Sequence, residues 1–381
     1  MKNIYLLNKI SPAGTNLFDK SRYAVSSEEH DADAIMVRSA AMHEMTFGKN
    51  LKAIARCGAG VNNIPLDRAA EEGIVVFNTP GANANAVKEL AIAALMLASR
   101  DIIGGIEWAK TLADSPDAAK AVEKGKGQFA GVEIIGKTLG VIGLGAIGGM
   151  VANAALALGM KVVGCDPYLS VNAAHHLAEE VEIVATFDEV FAAADYLTVH
   201  VPATPETKGF INASAIAKMK DGVRILNLAR ADLVAAEDIK AALRVKKVVS
   251  YVTDFPTAEV IGAEGVIAIP HLGASTEEAE DNCAAMAARE LIDYLENGNI
   301  VNSVNYPSLS SPRKSANRLC ILHKADCDAR KQISALTEAE EITTKTRGSY
   351  GYTIADLTKA APASVIATLQ NLEGVIRVNV L

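Results

Sequence analysis

The chain has 381 residues, 50% of them hydrophobic and 22% charged, which excludes a disordered chain and exceeds what one ordinary core requires. A formal net charge of −8 argues against nucleic acid as a partner. No apolar run reaches the roughly 20 residues of a bilayer span, no signal-peptide core opens the chain, and five scattered cysteines fit a reducing, cytoplasmic setting.

In chain order, apolar runs at 3–7, 34–37, 53–57 and 75–77 read as strands separated by helical stretches. That alternation predicts a parallel sheet covered by helices. One helix is predicted over 84–111, then a Gly/Lys-rich loop over 123–128. A second alternation follows, with strands at 138–142, 161–165, 182–184, 196–200, 224–227, 248–252 and 266–269. Strands in that number, with helices between them, predict a doubly wound sheet. A helix over 275–297 returns the chain to the first lobe.

The Pro/Ser-rich stretch 306–316 reads as a linker. Beyond it a βαββαβ pattern (318–323, 328–339, two strands within 342–357, 363–372, 374–380) predicts a module separate from the main body. The expected fold is therefore α/β, with two doubly wound Rossmann-like lobes and a small C-terminal domain. The predicted boundaries are 1–97 completed by 283–305, then 98–282, 306–316 and 317–381.

Gly143-Leu144-Gly145-Ala146-Ile147-Gly148 directly follows an apolar strand and opens a helical stretch. In such a GxGxxG, Gly143 allows the tight turn, Gly145 lets the backbone approach a pyrophosphate, and Gly148 lets helix and strand close up. The helix N-terminus, at Ala146 and Ile147, offers N–H groups to the phosphates. Asp166 ends the next strand, placed to accept ribose hydroxyls, and no arginine follows within 167–169, so NAD is the expected cofactor.

Three later segments put polar residues at strand ends: Arg230 in NLARADLV (227–234), Asp254 and Glu259 in DFPTAE (254–259), and His271 in IPHLGAST (269–276). Oxidation of a 2-hydroxy acid needs a base for the hydroxyl proton, a carboxylate to orient that base, and a cation for the substrate carboxylate. Histidine, glutamate and arginine suit those tasks. Each also has a structural reading when taken singly.

These segments, with VRS (37–39), RCGAGVNN (56–63) and NTPG (78–81), resemble the D-isomer-specific 2-hydroxyacid dehydrogenases over about residues 1–305. The resemblance implies Arg230, Glu259 and His271 as the catalytic triad. It implies that Gly58, Ala59 and Gly60 hold the substrate carboxylate through backbone N–H groups, with Arg38 or Arg56 for a phosphate. Ala229 and Asp254 would fix the nicotinamide carboxamide, and Val201 and Pro202 would line the adenine pocket. The closest likeness within the family is to the branch that oxidises 3-phospho-D-glycerate to 3-phosphohydroxypyruvate, the first step of the phosphorylated route to L-serine. A homodimer or homotetramer is implied, built through the cofactor domain.

The C-terminal pattern resembles ACT regulatory domains, whose effector loop typically reads His-x-Asn-x-Pro-Gly. Here His323 stays, but Ala325, Cys327 and Asp328 replace the rest, so weak or absent serine binding is expected. Ala231 and Asp232 stand where glycines are usual. No CxxC or HExxH occurs and the adjacent His175 and His176 cannot share a metal, so no metal is expected. Two alternatives remain at this stage: the same chemistry on an unphosphorylated acid such as glycerate or lactate, and a non-catalytic NAD sensor.

Overall fold

The computed structural model describes residues 1–28 and 31–381, which divide into two compact units, Met1–Asn83 with Glu277–Leu381 and Ala84–Thr276. In the first unit, β1 (Lys2–Leu6), β2 (Tyr23–Ser26), β3 (Ala34–Val37), β4 (Ala53–Arg56) and β5 (Val75–Asn78) form a parallel sheet in the order β2-β1-β3-β4-β5. The strand order reverses between β1 and β3, where an open α/β sheet places a ligand crevice. The helix Glu277–Asn297 lays Cys283, Ala287, Leu291 and Tyr294 on this sheet, a spacing of three or four residues that makes one apolar stripe.

The second unit contains β6 (Thr138–Ile142), β7 (Lys161–Cys165), β8 (Glu182–Ile183), β9 (Tyr196–Val199), β10 (Val223–Asn227), β11 (Val248–Thr253) and β12 (Val266–Ala268). They pair in parallel in the order β12-β11-β10-β9-β6-β7-β8, a doubly wound sheet whose order reverses between β6 and β9. The helix Ala84–Ser99 belongs here and not to the first lobe. Its Ala91, Ala94, Leu95 and Ala98 share a core with Val151, Ala152 and Ala155 of the helix Ala146–Ala157. The unit therefore begins at Ala84, and it ends at Thr276, where the expected limits were 98 and 282.

The predicted helix over 84–111 is two helices, Ala84–Ser99 and Ile102–Lys110. Asp101 starts the second by accepting from the Gly104 N–H at 2.9 Å, a side-chain cap that an uninterrupted helix would not need. The predicted loop over 123–128 is largely helical, as Ala118–Gly125 followed by a tight turn at Lys126–Phe129.

The chain then returns to the first unit and forms an antiparallel sheet of β13 (Asn317–Lys324), β14 (Ala339–Arg347), β15 (Tyr350–Leu357) and β16 (Val375–Val380), in the order β14-β15-β13-β16. Alternate residues of its strands face two different cores. Leu319, Ile321, Ala355 and Leu357 pack with Ile333 and Leu369 of the module's helices. Cys320, Leu322, Tyr352 and Ile354 join Phe77, Tyr294 and Leu295 in the lobe's core.

The expectation of a separate module on a linker is thus corrected. Tyr306 is fully buried and its hydroxyl donates to the Ala70 carbonyl at 2.6 Å, while Leu309 bridges to Ile300. Proline and serine there interrupt regular structure, but the apolar residues between them anchor the segment. The buried Arg318–Asp356 pair adds a bidentate bond at 2.7 Å, and Arg318 also donates to the carbonyls of Asn297 and Ser311.

Candidate active site

At the end of β6, Gly143 has φ +89°, and a Cβ there would lie 2.7 Å from the His200 carbonyl oxygen and 2.9 Å from Val201. A Cβ on Gly148 would sit 1.8 Å from the Gly143 carbonyl oxygen, so only glycine lets the helix Ala146–Ala157 start this close to the strand. Gly145 differs: a Cβ there meets nothing within 4 Å. Its freedom is not used by the protein, which fits a backbone left open to a phosphate group. Ala146 and Ile147 begin the helix, whose N-cap at Gly145 has no side-chain hydrogen bond.

Asp166 follows β7 and ties the turn together, its two oxygens accepting from the Leu144 N–H at 3.0 Å and the Tyr168 N–H at 2.9 Å. A carboxylate has about four acceptor positions, so capacity remains for ribose hydroxyls. Val201 and Pro202 follow β9 beside the glycine turn. His200 before them bonds Thr198 at 2.9 Å, and burial lowers its imidazole to about 4, as a structural histidine would behave. The donor set and the open glycine therefore fit a dinucleotide.

The three polar segments leave the same sheet edge. After β10, the buried Asn227 organises the loop: its Oδ1 accepts from the Ala229 and Arg230 N–H groups at 3.2 and 3.3 Å, and its Nδ2 donates to the Arg230 carbonyl at 2.8 Å. The Arg230 guanidinium is exposed and donates to the Ala229 carbonyl at 2.6 Å. Ala231 and Asp232 lie in a short helical turn at ordinary φ, so the departure from glycine imposes no backbone strain.

After β11, Asp254 is buried and accepts from the Leu272 N–H at 2.7 Å and the Gly273 N–H at 2.8 Å. Burial raises its carboxyl and these two bonds oppose the rise. Asp254 thereby holds the loop that carries His271, which sits at φ +55° with its imidazole exposed. The carboxylate expected on the imidazole is not there. Glu259 is exposed, reaches only Thr257 at 3.5 Å, and makes no hydrogen bond to His271 among the described residues. Ligand-free sites often leave such bonds open.

In the first unit, Arg38 follows β3 at the strand-order reversal, and Asn8 accepts from the N–H groups of Arg38, Ser39 and Ala40 at 2.9 to 3.2 Å. The Arg38 guanidinium pairs with Glu280 at 2.6 Å. Arg56, the last residue of β4, folds across Gly58, where a Cβ would lie 1.3 Å from its Nη1, and Gly58 has φ +142°. Asn78 donates to the Ala59 carbonyl at 2.7 Å and the Thr79 N–H donates to the Gly58 carbonyl at 3.1 Å. The Gly58 N–H is itself spent on the Arg56 carbonyl at 2.8 Å, so in the loop through Gly60 it is the N–H groups of Ala59 and Gly60 that can serve an anion. Among the described residues no cluster of histidine, cysteine and acidic side chains could hold a metal.

Sequence reasoning gave no role to Asn8, Asn78, Asn227 or Phe255. The Phe255 ring lies 4.5 Å from the His271 ring, centroid to centroid, and 5.2 Å from the Arg230 guanidinium carbon. Only the asparagines carried a signal, each at the end of or just after a predicted strand.

Residues 102–273 match the family model described as D-isomer specific 2-hydroxyacid dehydrogenase, NAD binding domain. The chain is 38% identical over 290 residues to a D-3-phosphoglycerate dehydrogenase of Synechocystis, covering 73% of this chain and 50% of that protein. It is 36% identical over 302 residues to a D-3-phosphoglycerate dehydrogenase of Archaeoglobus fulgidus, covering 76% of this chain and 54% of the other. The chain thus spans about half the length of these curated relatives. A solved NAD+-bound 3-phosphoglycerate dehydrogenase of Entamoeba histolytica matches with TM-score 0.64 and 28% identity, over 81% of this chain and 99% of that one.

Proposed function

We propose that this chain, which belongs to the D-isomer specific 2-hydroxyacid dehydrogenase family, oxidises 3-phospho-D-glycerate to 3-phosphohydroxypyruvate, reversibly and with NAD, as the first step of the phosphorylated route to L-serine. The observation that carries the reading is a single sheet edge bearing both the dinucleotide turn and two pre-set loops, one with Arg230 and one with His271. The names of the curated relatives, and of the Entamoeba structure, support the phosphorylated substrate.

NAD held at Gly143–Gly148 and Asp166 would take the hydride from C2 of the substrate. In the proposed scheme His271 accepts the hydroxyl proton and returns it in the reverse direction. Glu259 orients the imidazole once substrate is bound. Arg230 binds the carboxylate and polarises the keto oxygen during reduction. In the same scheme Ala229 and Asp254 fix the nicotinamide carboxamide. Ala59 and Gly60 supply backbone donors for the carboxylate, and Gly58, whose N–H is held by the Arg56 carbonyl, supplies the turn that presents them.

We assign the phosphate to Arg38. Its pair with Glu280 is partly exposed, so little is lost when a phosphate replaces the carboxylate. Arg56 is instead committed to its own loop, donating to the Cys57 carbonyl at 3.1 Å. Arg38→Ala should raise KM for the phosphorylated keto acid at least about tenfold, and hardly alter it for hydroxypyruvate. Arg56→Ala should raise KM for both. Equal KM changes for the two substrates with Arg38→Ala would remove Arg38 from the phosphate site.

The helix Ile102–Lys110 supports a homodimer built through the cofactor domain. It buries none of its residues and leaves Ile102, Ile103 and Ile106 at 40 to 51% exposure. A cytoplasmic location is proposed from the five free cysteines; no helix among the described residues is long and apolar enough to cross a membrane. The C-terminal βαββαβ module, an antiparallel sheet in the order β14-β15-β13-β16, is proposed to be ACT-like and to serve association without binding serine.

A further inference from the structure

We propose that Phe255 is a positioning residue for the reaction: its ring holds the Arg230 guanidinium and the His271 imidazole in their working orientations. The inference rests on the dehydrogenase reading above and adds to it a residue outside the Arg230, Glu259 and His271 set.

The backbones of both loops are fixed without Phe255. Asn227 pins the main chain of Arg230 on both sides, and Asp254 pins the two residues after His271. The heads of the two side chains are not fixed in that way. The guanidinium's bond is to the Ala229 carbonyl, next in the chain, and the imidazole makes no hydrogen bond among the described residues. What both heads share is the Phe255 ring. The imidazole meets it at 4.5 Å between centroids with the planes tilted by 46°, and the guanidinium carbon lies 5.2 Å from its centroid.

Both contacts suit the partners. An aromatic face attracts a guanidinium, and tilted ring pairs at this separation are favourable. The ring cannot be replaced by its surroundings. A cavity of about 230 Å³, lined by Phe255, Ala231, Asp232, Thr257 and Glu259 among others, adjoins it. A smaller side chain at 255 would leave both heads without a platform, at a cost that falls on orientation and hence on the chemical step.

The test compares Phe255→Leu, which keeps apolar bulk and loses the ring, with Phe255→Tyr, which keeps the ring. Three quantities are measured on the full chain: kcat for reduction of 3-phosphohydroxypyruvate, the NADH dissociation constant by fluorescence, and the His271 ring-proton chemical shifts by NMR. Phe255→Leu should lower kcat about tenfold, a loss of oriented contacts rather than of binding. It should leave NADH affinity within about twofold and remove the ring-current displacement of the His271 resonances. Phe255→Tyr should retain both kcat and the displacement.

A Leu variant with kcat within about twofold of the parent overturns the inference. So does a displacement that survives in the Leu variant, or a loss of NADH binding that accounts for the whole effect. If the parent protein turns over no keto acid at all, the dehydrogenase reading fails instead. The NMR comparison then reports on the platform independently of activity.

Discussion

Glu290 lies in the core of the first unit, with Oε1 accepting from Asn302 at 2.7 Å and Oε2 without a partner among the described residues. Burial pushes its carboxyl up to about 8. Between an ordinary glutamate value near 4.3 and that value, the folded chain holds a proton that the unfolded chain has released. Stability from this group therefore falls as pH rises across the window, by at most about 1.4 kcal/mol per pH unit, and levels off above 8. Glu290→Gln removes the titration, so urea unfolding should find the variant gaining on the parent between pH 5.5 and pH 8. Identical pH profiles for the two proteins would contradict this. Nothing local in the sequence marks Glu290 or Phe255. Their roles come from partners at least twelve positions away, which spacing along the chain does not reveal.

At the scale of elements, the glycine turn was legible because each glycine's task is local to one strand and the helix that follows. The structure separates those tasks. Gly148→Ala would drive a methyl into the Gly143 carbonyl, so it should destabilise the unit as well as abolish NADH binding. Gly145→Ala meets open space, so the protein should keep its thermal midpoint within a few degrees and lose NADH affinity alone. If Gly145→Ala binds NADH as tightly as the parent, the turn does not cradle the pyrophosphate. Element boundaries were harder to read. The break at Asp101 is a single capping interaction inside an apolar periodic run, and 306–316 has a linker's composition with buried anchors at Tyr306 and Leu309. Composition reports irregular backbone well, and burial poorly.

Across the whole molecule, the two parallel sheets and the terminal antiparallel sheet follow from the alternation of strands and helices. The attachment of the terminal module does not, because the second apolar face of its strands is visible only once its partner is known. That attachment bears on regulation. His323 is fully buried with both ring nitrogens committed, Nδ1 to the Lys324 carbonyl at 2.7 Å and Nε2 to Thr353 at 3.0 Å. Burial also holds the imidazole below its ordinary range, so it stays neutral and donates from Nδ1. No ring nitrogen is left for an effector. Activity should be unchanged by serine up to millimolar concentration, whereas half-inhibition in the low micromolar range would contradict this reading of the loop.

The central claim is that the chain transfers a hydride between NAD and a phosphorylated 2-hydroxy acid, with His271 handling the proton. Its most direct test is the loss of NADH absorbance with purified protein and 3-phosphohydroxypyruvate, run beside hydroxypyruvate, pyruvate and 2-oxoglutarate and repeated with His271→Asn. A strong preference for the phosphorylated keto acid is expected, with a loss of at least about a hundredfold in kcat for the variant and NADH still bound. Turnover of an unphosphorylated acid alone would contradict the substrate assignment. Tight NADH binding without turnover of any of the four would contradict the dehydrogenase reading and leave an NAD-sensing protein.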